Sequence, residues 1–180
     1  MKINSVVSSL FAAGLLTIGT AHAATVTTAG GTINFEGQVV DGACAVSADS
    51  LNQTVTLDQV RAAKLATAGQ AAGQQQSFNI KLEDCDTTAF TNVAVTFKGQ
   101  SDTTTTGALA NTAGAGAATN VALQLYGNDG QPLPLGTASA TTTLNTGENI
   151  LPFSVDYVAT AGAATAGNVA SVATFTTTYS

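Results

Sequence analysis

From Thr27 onward the chain alternates. Thr27, Ala29, Gly31, Ile33 and Phe35 fall on one face of an extended segment, with polar or small residues between them. Residues 32–46 continue as one long extended run, with Gly37 and Gly42 as bend or bulge points. Further period-two patterning predicts strands at 53–60 (Val55 and Leu57 against Thr54 and Thr56), 77–85 (Phe78, Ile80 and Leu82 inward) and 92–99 (Val93, Val95 and Phe97 inward). Residues 121–135 read as a hairpin turning at Asn128-Asp129-Gly130. Residues 141–160 read as a second, turning near Thr146-Gly147. Residues 171–180 form a last strand, with Phe175, Thr177 and Tyr179 on one face.

Helical signals are few. Residues 58–69 can hold a turn or two, stopped by Gly69. Residues 100–120 and 159–168, rich in Thr, Ala and Gly, read as surface loops. Short strands separated by turn signals mean an all-β sandwich, Greek-key and immunoglobulin-like. Two features sit oddly in it. The strand at 27–35 has no hairpin partner, and the strand at 171–180 has nothing after it to cover its edge, which is an aggregation hazard.

The first 23 residues read as a removable signal peptide: Lys2, an apolar run at 6–19 and the small-x-small sequence Ala21-His22-Ala23. The run is too short and too serine-rich for a membrane anchor. Removal leaves 157 residues, enough for one domain, and takes away the only His and the only Met. The remainder has 4 basic residues (Arg61, Lys64, Lys81, Lys98) against 11 acidic ones, a formal charge of −7. That balance argues against nucleic acid and against an anionic membrane surface as partners. So little charge leaves a surface of Thr, Ser, Asn, Gln, Gly and Ala, which suits an exported protein packed into an assembly.

Cys44 and Cys85 are the only cysteines. In an exported chain they read as a disulfide closing a 41-residue loop, worth roughly 4 kcal/mol in the chain-entropy model. The rival reading, a reactive thiol pair, lacks both the C-x-x-C spacing and a His to activate a thiolate.

Candidate chemistry is thin. Without His there is no Ser-His-Asp or Cys-His triad. Glu83, Asp84 and Asp86 flank a cysteine without EF-hand spacing and read as a solvated turn, so no metal site is assigned. Residues 114–119 lack the third glycine of a dinucleotide fingerprint, so no cofactor is expected. Nothing places Glu148 and Asp156 together in a cleft. The chain does not read as an enzyme.

Four stretches together resemble the major subunits of type 1 fimbriae, the pilins of the chaperone–usher pathway. The glycine-containing strand running up to Cys44 is similar to the N-terminal extension of those pilins. Residues 53–69 resemble the segment that follows it, and residues 78–87 the strand ending in the second cysteine. The last strand carries that family's C-terminal signature, Tyr179 penultimate and Gly167 fourteenth from the end.

The resemblance implies an incomplete immunoglobulin-like sandwich lacking its last strand, completed in trans by a donor strand. It implies residues 24–36 as the donor extension and 37–180 as the pilin domain. Thr27, Ala29, Gly31, Ile33 and Phe35 then face the pockets of a neighbour. Gly30 is the alternative to Gly31 if the register slips by one. Phe175, Thr177, Tyr179 and Ser180 then belong to the receiving groove and to the strand that a chaperone holds.

The implied partners are neighbouring copies, a periplasmic pilus chaperone, an outer-membrane usher, and minor and tip subunits. The implied location is an extracellular fimbrium, reached through the periplasm of a Gram-negative bacterium, and the implied role is the shaft of an adhesive organelle. Residues 24–36 could instead be a disordered leader or the first strand of the chain's own sandwich. A minor adaptor pilin and a self-contained secreted binding module are the other functional readings. The lack of Trp and scarcity of aromatics argue against sugar stacking in the latter.

Overall fold

A computed structural model describes residues 30–39 and 42–180. The chain divides into two units, Met1–Gln38 and Val39–Ser180, each taken by itself below. Residues 1–23, read from the sequence as a signal peptide, and the positions Thr27 and Ala29 lie outside the described residues.

Val39–Ser180 is a two-layer β-sandwich. The first sheet holds β1 (Ala45–Val46), β2 (Gln76–Cys85), β7 (Gly147–Ala159), β5 (Val121–Tyr126) and β4 (Leu109–Ala110), in that order. The second holds β6 (Thr142–Thr143), β3 (Asn92–Gly99) and β8 (Ala173–Tyr179). All pairings between strands are antiparallel.

Alternation fills the space between the layers. Ile80 lies opposite Leu151 and Phe78 opposite Phe153 on β2 and β7. From the other sheet, Phe97 meets Phe153 edge-on, with ring centres 5.1 Å apart, a favoured aromatic geometry. Val93 and Val95 are fully buried beside them.

Strict alternation along β2 would turn Cys85 outward. A bulge between Leu82 and Cys85 corrects this. Asp84 takes a left-handed φ of 52°, one extra residue enters the strand, and Leu82 and Cys85 both face the core. Cys85 thereby reaches Cys44, and the two form the expected disulfide.

A second irregularity lies at the far end of the same strand pair. Residues 69–72 continue beside β7, and Gly73, with a φ of 71°, breaks the ladder. Two backbone N–H groups freed there, of Gly73 and Gln74, donate to the buried Asp156 carboxylate at 2.8 and 3.2 Å. Replacing Asp156 with alanine strands both donors. We expect a loss of about 2–4 kcal/mol in urea unfolding, and a smaller one for Asp156→Asn, which keeps an acceptor oxygen.

The sequence pattern misplaces several elements. Among the described residues of 32–46 only Ala45–Val46 pair; the rest lack a strand partner. Residues 53–60 form no strand and no backbone ladder, although Val55, Leu57 and Val60 are half-buried against the core. Residues 141–160 are not a hairpin. β6 pairs with β3 and β7 belongs to the opposite sheet, so the chain crosses between layers at Leu144–Thr146. The crossing is held by Asn149, whose side chain bonds both the N–H and the C=O of Asn145. The hairpin at 121–135 turns where expected but pairs briefly, through the Tyr126–Pro132 bridge and the N–H groups of Gly127 and Leu133, which donate to the Gln131 and Leu125 carbonyls. Residues 58–69 hold a single 3-10 turn at Ala62–Lys64. The helical turn α1 (Ala48–Leu51) and strand β4 carry no clear signal in the pattern.

Candidate functional site

The site is the open edge of β8. On its other edge β8 pairs with β3, and the Asn92–Ser180 pair at its end exchanges both backbone bonds. In an antiparallel ladder such pairs alternate. Thr174, Thr176 and Thr178 therefore spend their backbone groups on β3. Ala173, Phe175, Thr177 and Tyr179 aim theirs at the opposite edge, where no strand lies among the described residues.

The same odd positions turn their side chains inward. Phe175, Thr177 and Tyr179 are half-buried, while Thr174, Thr176 and Thr178 are exposed. Phe175 lies 6.3 Å, ring to ring, from core residue Phe97. Tyr179 lies 6.4 Å from Phe90, and its hydroxyl donates to the Cys44 carbonyl at 3.4 Å. The Ser180 carbonyl accepts the N–H groups of Thr91 and Asn92. Phe175, Thr177 and Tyr179 thus share the inner face of β8, with Ser180 at its end.

Before β8 begins, a cleft of about 470 Å³ opens. Leu57 and Val60 form one side, Gly167 and Val169 the other, and Tyr157 lines it between them. The Tyr157 hydroxyl holds the first wall by donating to the Asp58 carbonyl at 3.1 Å. Burial, then Asp156, pushes the Tyr157 phenol above its usual range; the same two causes raise Tyr126. Gly167 is present because backbone passes where a side chain would be. Residues 167–168 run parallel to Ala117–Ala118, with Ala118 N–H donating to Asn168 and Asn168 N–H to Gly116. At the Tyr179 end a second hollow, about 370 Å³, is bordered by Gly42, Ala43, Asp86 and Phe90.

Around the disulfide lie most of the charges near the site. Lys81 bridges Glu83 and Glu148 at 2.8 Å each, and the Glu148 and Glu83 contacts raise its pKa. Hydrogen bonding from Thr88 lowers the pKa of the Asp86 carboxyl. Among the described residues no His, Cys, Asp or Glu cluster is arranged to hold a metal.

Residues 30–38, in the other unit, form no strand. Gly30 and Gly31 have open space where a Cβ would stand. Ile33 and Phe35 are 74% and 90% exposed, large apolar side chains with no cover of their own.

The fimbrial protein family model matches residues 33–180. The chain belongs to the fimbrial protein family. It is 46% identical to the type 1 fimbrial subunit of Klebsiella pneumoniae, over 99% of this chain and 100% of that one. It is 45% identical to the type 1 fimbrial protein A chain of Escherichia coli K12, with the same coverage. Among solved structures it resembles a chaperone–usher pilus described for its rod uncoiling, with a TM-score of 0.72 at 28% identity, covering 88% of this chain and 100% of that one. It also resembles a type I fimbria protein and antigen of Burkholderia pseudomallei, with a TM-score of 0.59 at 31% identity over 78% of this chain and 91% of that one.

The fold is thus an immunoglobulin-like pilin sandwich short of one strand, and this fimbrial protein is a structural subunit of an extracellular chaperone–usher pilus. The inner face of β8 was legible in the sequence; the cleft residues Leu57 and Val60 were not marked as part of a site. Leu57 was legible only through its alternation with Val55, and nothing local marked residues 53–60 as lacking a strand partner.

Proposed function

We propose that this fimbrial subunit polymerises head to tail by donor-strand exchange, residues 24–36 of one copy completing the sandwich of the next. The open β8 edge carries the reading. Four residues there offer unpaired backbone groups, and three of these turn half-buried side chains toward the core. A strand laid on that edge gains main-chain bonds, while its alternate side chains enter the groove. Thr27, Ala29, Gly31, Ile33 and Phe35 have the matching period. Exposed Ile33 and Phe35 gain about 1.5–3 kcal/mol each on burial.

In this reading residues 1–23 are a signal peptide and 37–180 the pilin domain. The subunit reaches the surface through the periplasm of a Gram-negative bacterium. A chaperone first occupies the β8 edge near Tyr179 and Ser180, and the usher exchanges it for the next subunit. Minor and tip subunits complete the organelle. The role is structural, not enzymatic. It involves neither nucleic acid nor membrane insertion. The contact is heterologous and does not close on itself, so it grows a filament.

The chain lacking residues 24–36, expressed with its chaperone and usher, tests the reading. Electron microscopy should show no filaments of this subunit, while chaperone co-purification persists; filaments from the deleted chain refute the donor assignment. Gly31→Leu should cut filament yield about tenfold or more with chaperone binding intact, because a side chain is forced against the β8 wall. Unimpaired assembly would move the tight position to Gly30.

A further inference from the structure

The two ends of the groove differ in charge. The rim of the cleft carries Arg61 and Lys64, exposed side chains on the turn whose Val60 and Leu65 line it. Among the described residues neither has an ion-pair partner, and Asp58 is the one acid in their segment. At the far end of β8, about 20 Å away for seven residues, lie Glu83, Asp84, Asp86 and Glu148. Lys81 offsets only part of that charge. This acidic end is also where the chain enters the sandwich. Gly42 and Ala43 border a hollow with Asp86, and Cys44 is bonded to Cys85. Whatever the N-terminal segment reaches, it is tethered to the acidic pole of its own molecule.

We propose that the acidic pole of one copy docks on the Arg61–Lys64 rim of the copy whose groove its N-terminal segment fills. The proposal rests on the donor-strand reading and adds to it a second, ionic contact. Laid antiparallel to β8, the segment ends at Phe35 and Glu36 beside the cleft. Glu36 is then the first acid delivered to the rim, and residues 37–44 bring Glu83, Asp84 and Asp86 after it. Laid parallel, the segment would press one acidic pole onto another. Only the antiparallel arrangement joins opposite charges. The effect matters because residues 24–180 carry a formal charge of −7, and Arg61 and Lys64 are two of the four cations among them. Charges at an interface rim act mainly on the rate of approach and on its salt dependence.

The test uses full-length subunits delivered as chaperone complexes, with the appearance of subunit multimers followed in time at several salt concentrations. The wild-type rate should fall about fivefold from low salt to about 0.5 M. Arg61→Glu with Lys64→Glu should slow assembly about tenfold at low salt and remove the inhibition by added salt. Glu36→Lys in the incoming subunit should restore the rate on that acceptor and slow it on the wild type. Equal chaperone recovery for every variant shows that folding is intact. Wild-type rates and salt dependence in the charge-reversed acceptor would overturn the ionic docking and leave the donor reading standing. Multimers from the chain lacking 24–36 would overturn the donor reading itself.

Discussion

Gly167→Ala is expected to destabilise the subunit by about 3 kcal/mol and to lower its yield as a chaperone complex. The added Cβ would overlap the Ala118 amide nitrogen and stand 2.6 Å from the Ala117 carbonyl carbon. Both are backbone atoms and cannot swing aside. Relief needs residues 167–168 to separate from 117–118, which breaks the bonds linking Ala118, Asn168 and Gly116. Asn111 suffers as well, because its side chain bonds the carbonyls of Ala118 and Asn168. Overpacking of this kind costs typically about 1–3 kcal/mol, and the upper end applies where backbone must move. Urea unfolding of the subunit complexed with a peptide of residues 24–36 measures it. Gly116→Ala, where the nearest atom is the end of the Asn168 side chain at 3.9 Å, is the control for damage to the same loop. It should cost only the strain of its φ of 76°. A Gly167→Ala subunit as stable as wild type would show that the parallel contact does not hold the cleft wall.

Removing the disulfide should cost about 4 kcal/mol, the chain-entropy value for a 41-residue loop. For a domain of this size that is a fall of about 10–15 °C in melting temperature. The bond does more than shorten the unfolded chain. Cys44 and Cys85 are both in the core, and the Cys44 carbonyl accepts the Tyr179 hydroxyl. Loss of the bond loosens the end of the β8 wall, so Cys44→Ser with Cys85→Ser should also speed loss of the bound peptide. Calorimetry of the peptide complex and fluorescence of a labelled peptide read the two effects separately. An unchanged melting temperature would refute the stabilising role.

The strands that the sequence reveals are those that bury one face within their own chain. β2 (up to Leu82) and β3 alternate because each lies on the core, β8 alternates over its half-buried inner face, and Phe78, Val95 and Phe175 mark their inner sides. The errors fall where the partner is decided elsewhere. Residues 53–60 have a strand's periodicity, since Val55 and Leu57 do face the core, but periodicity cannot say that the ladder beside them is missing. Residues 141–160 have the spacing of a hairpin. The side chain that sends β6 and β7 to different sheets is Asn149, whose bonds to Asn145 replace a turn. The Asp84 bulge was illegible for a similar reason, since one residue's φ decides it. Within the site, the inner positions of β8 were readable from alternation. Gly167 was identifiable only by resemblance, because its need for no side chain comes from Ala117 and Ala118, some fifty residues away.

The parity of β8 divides one strand between two kinds of constraint. In the donor-strand reading, substitution at Phe175, Thr177 or Tyr179 alters the surface that the incoming strand fits. Thr174, Thr176 and Thr178 face outward, and any residue but proline there keeps the backbone bonds to β3. A lineage can therefore redraw the face that this strand shows to the outside world, one alternate position at a time, and still build the same filament.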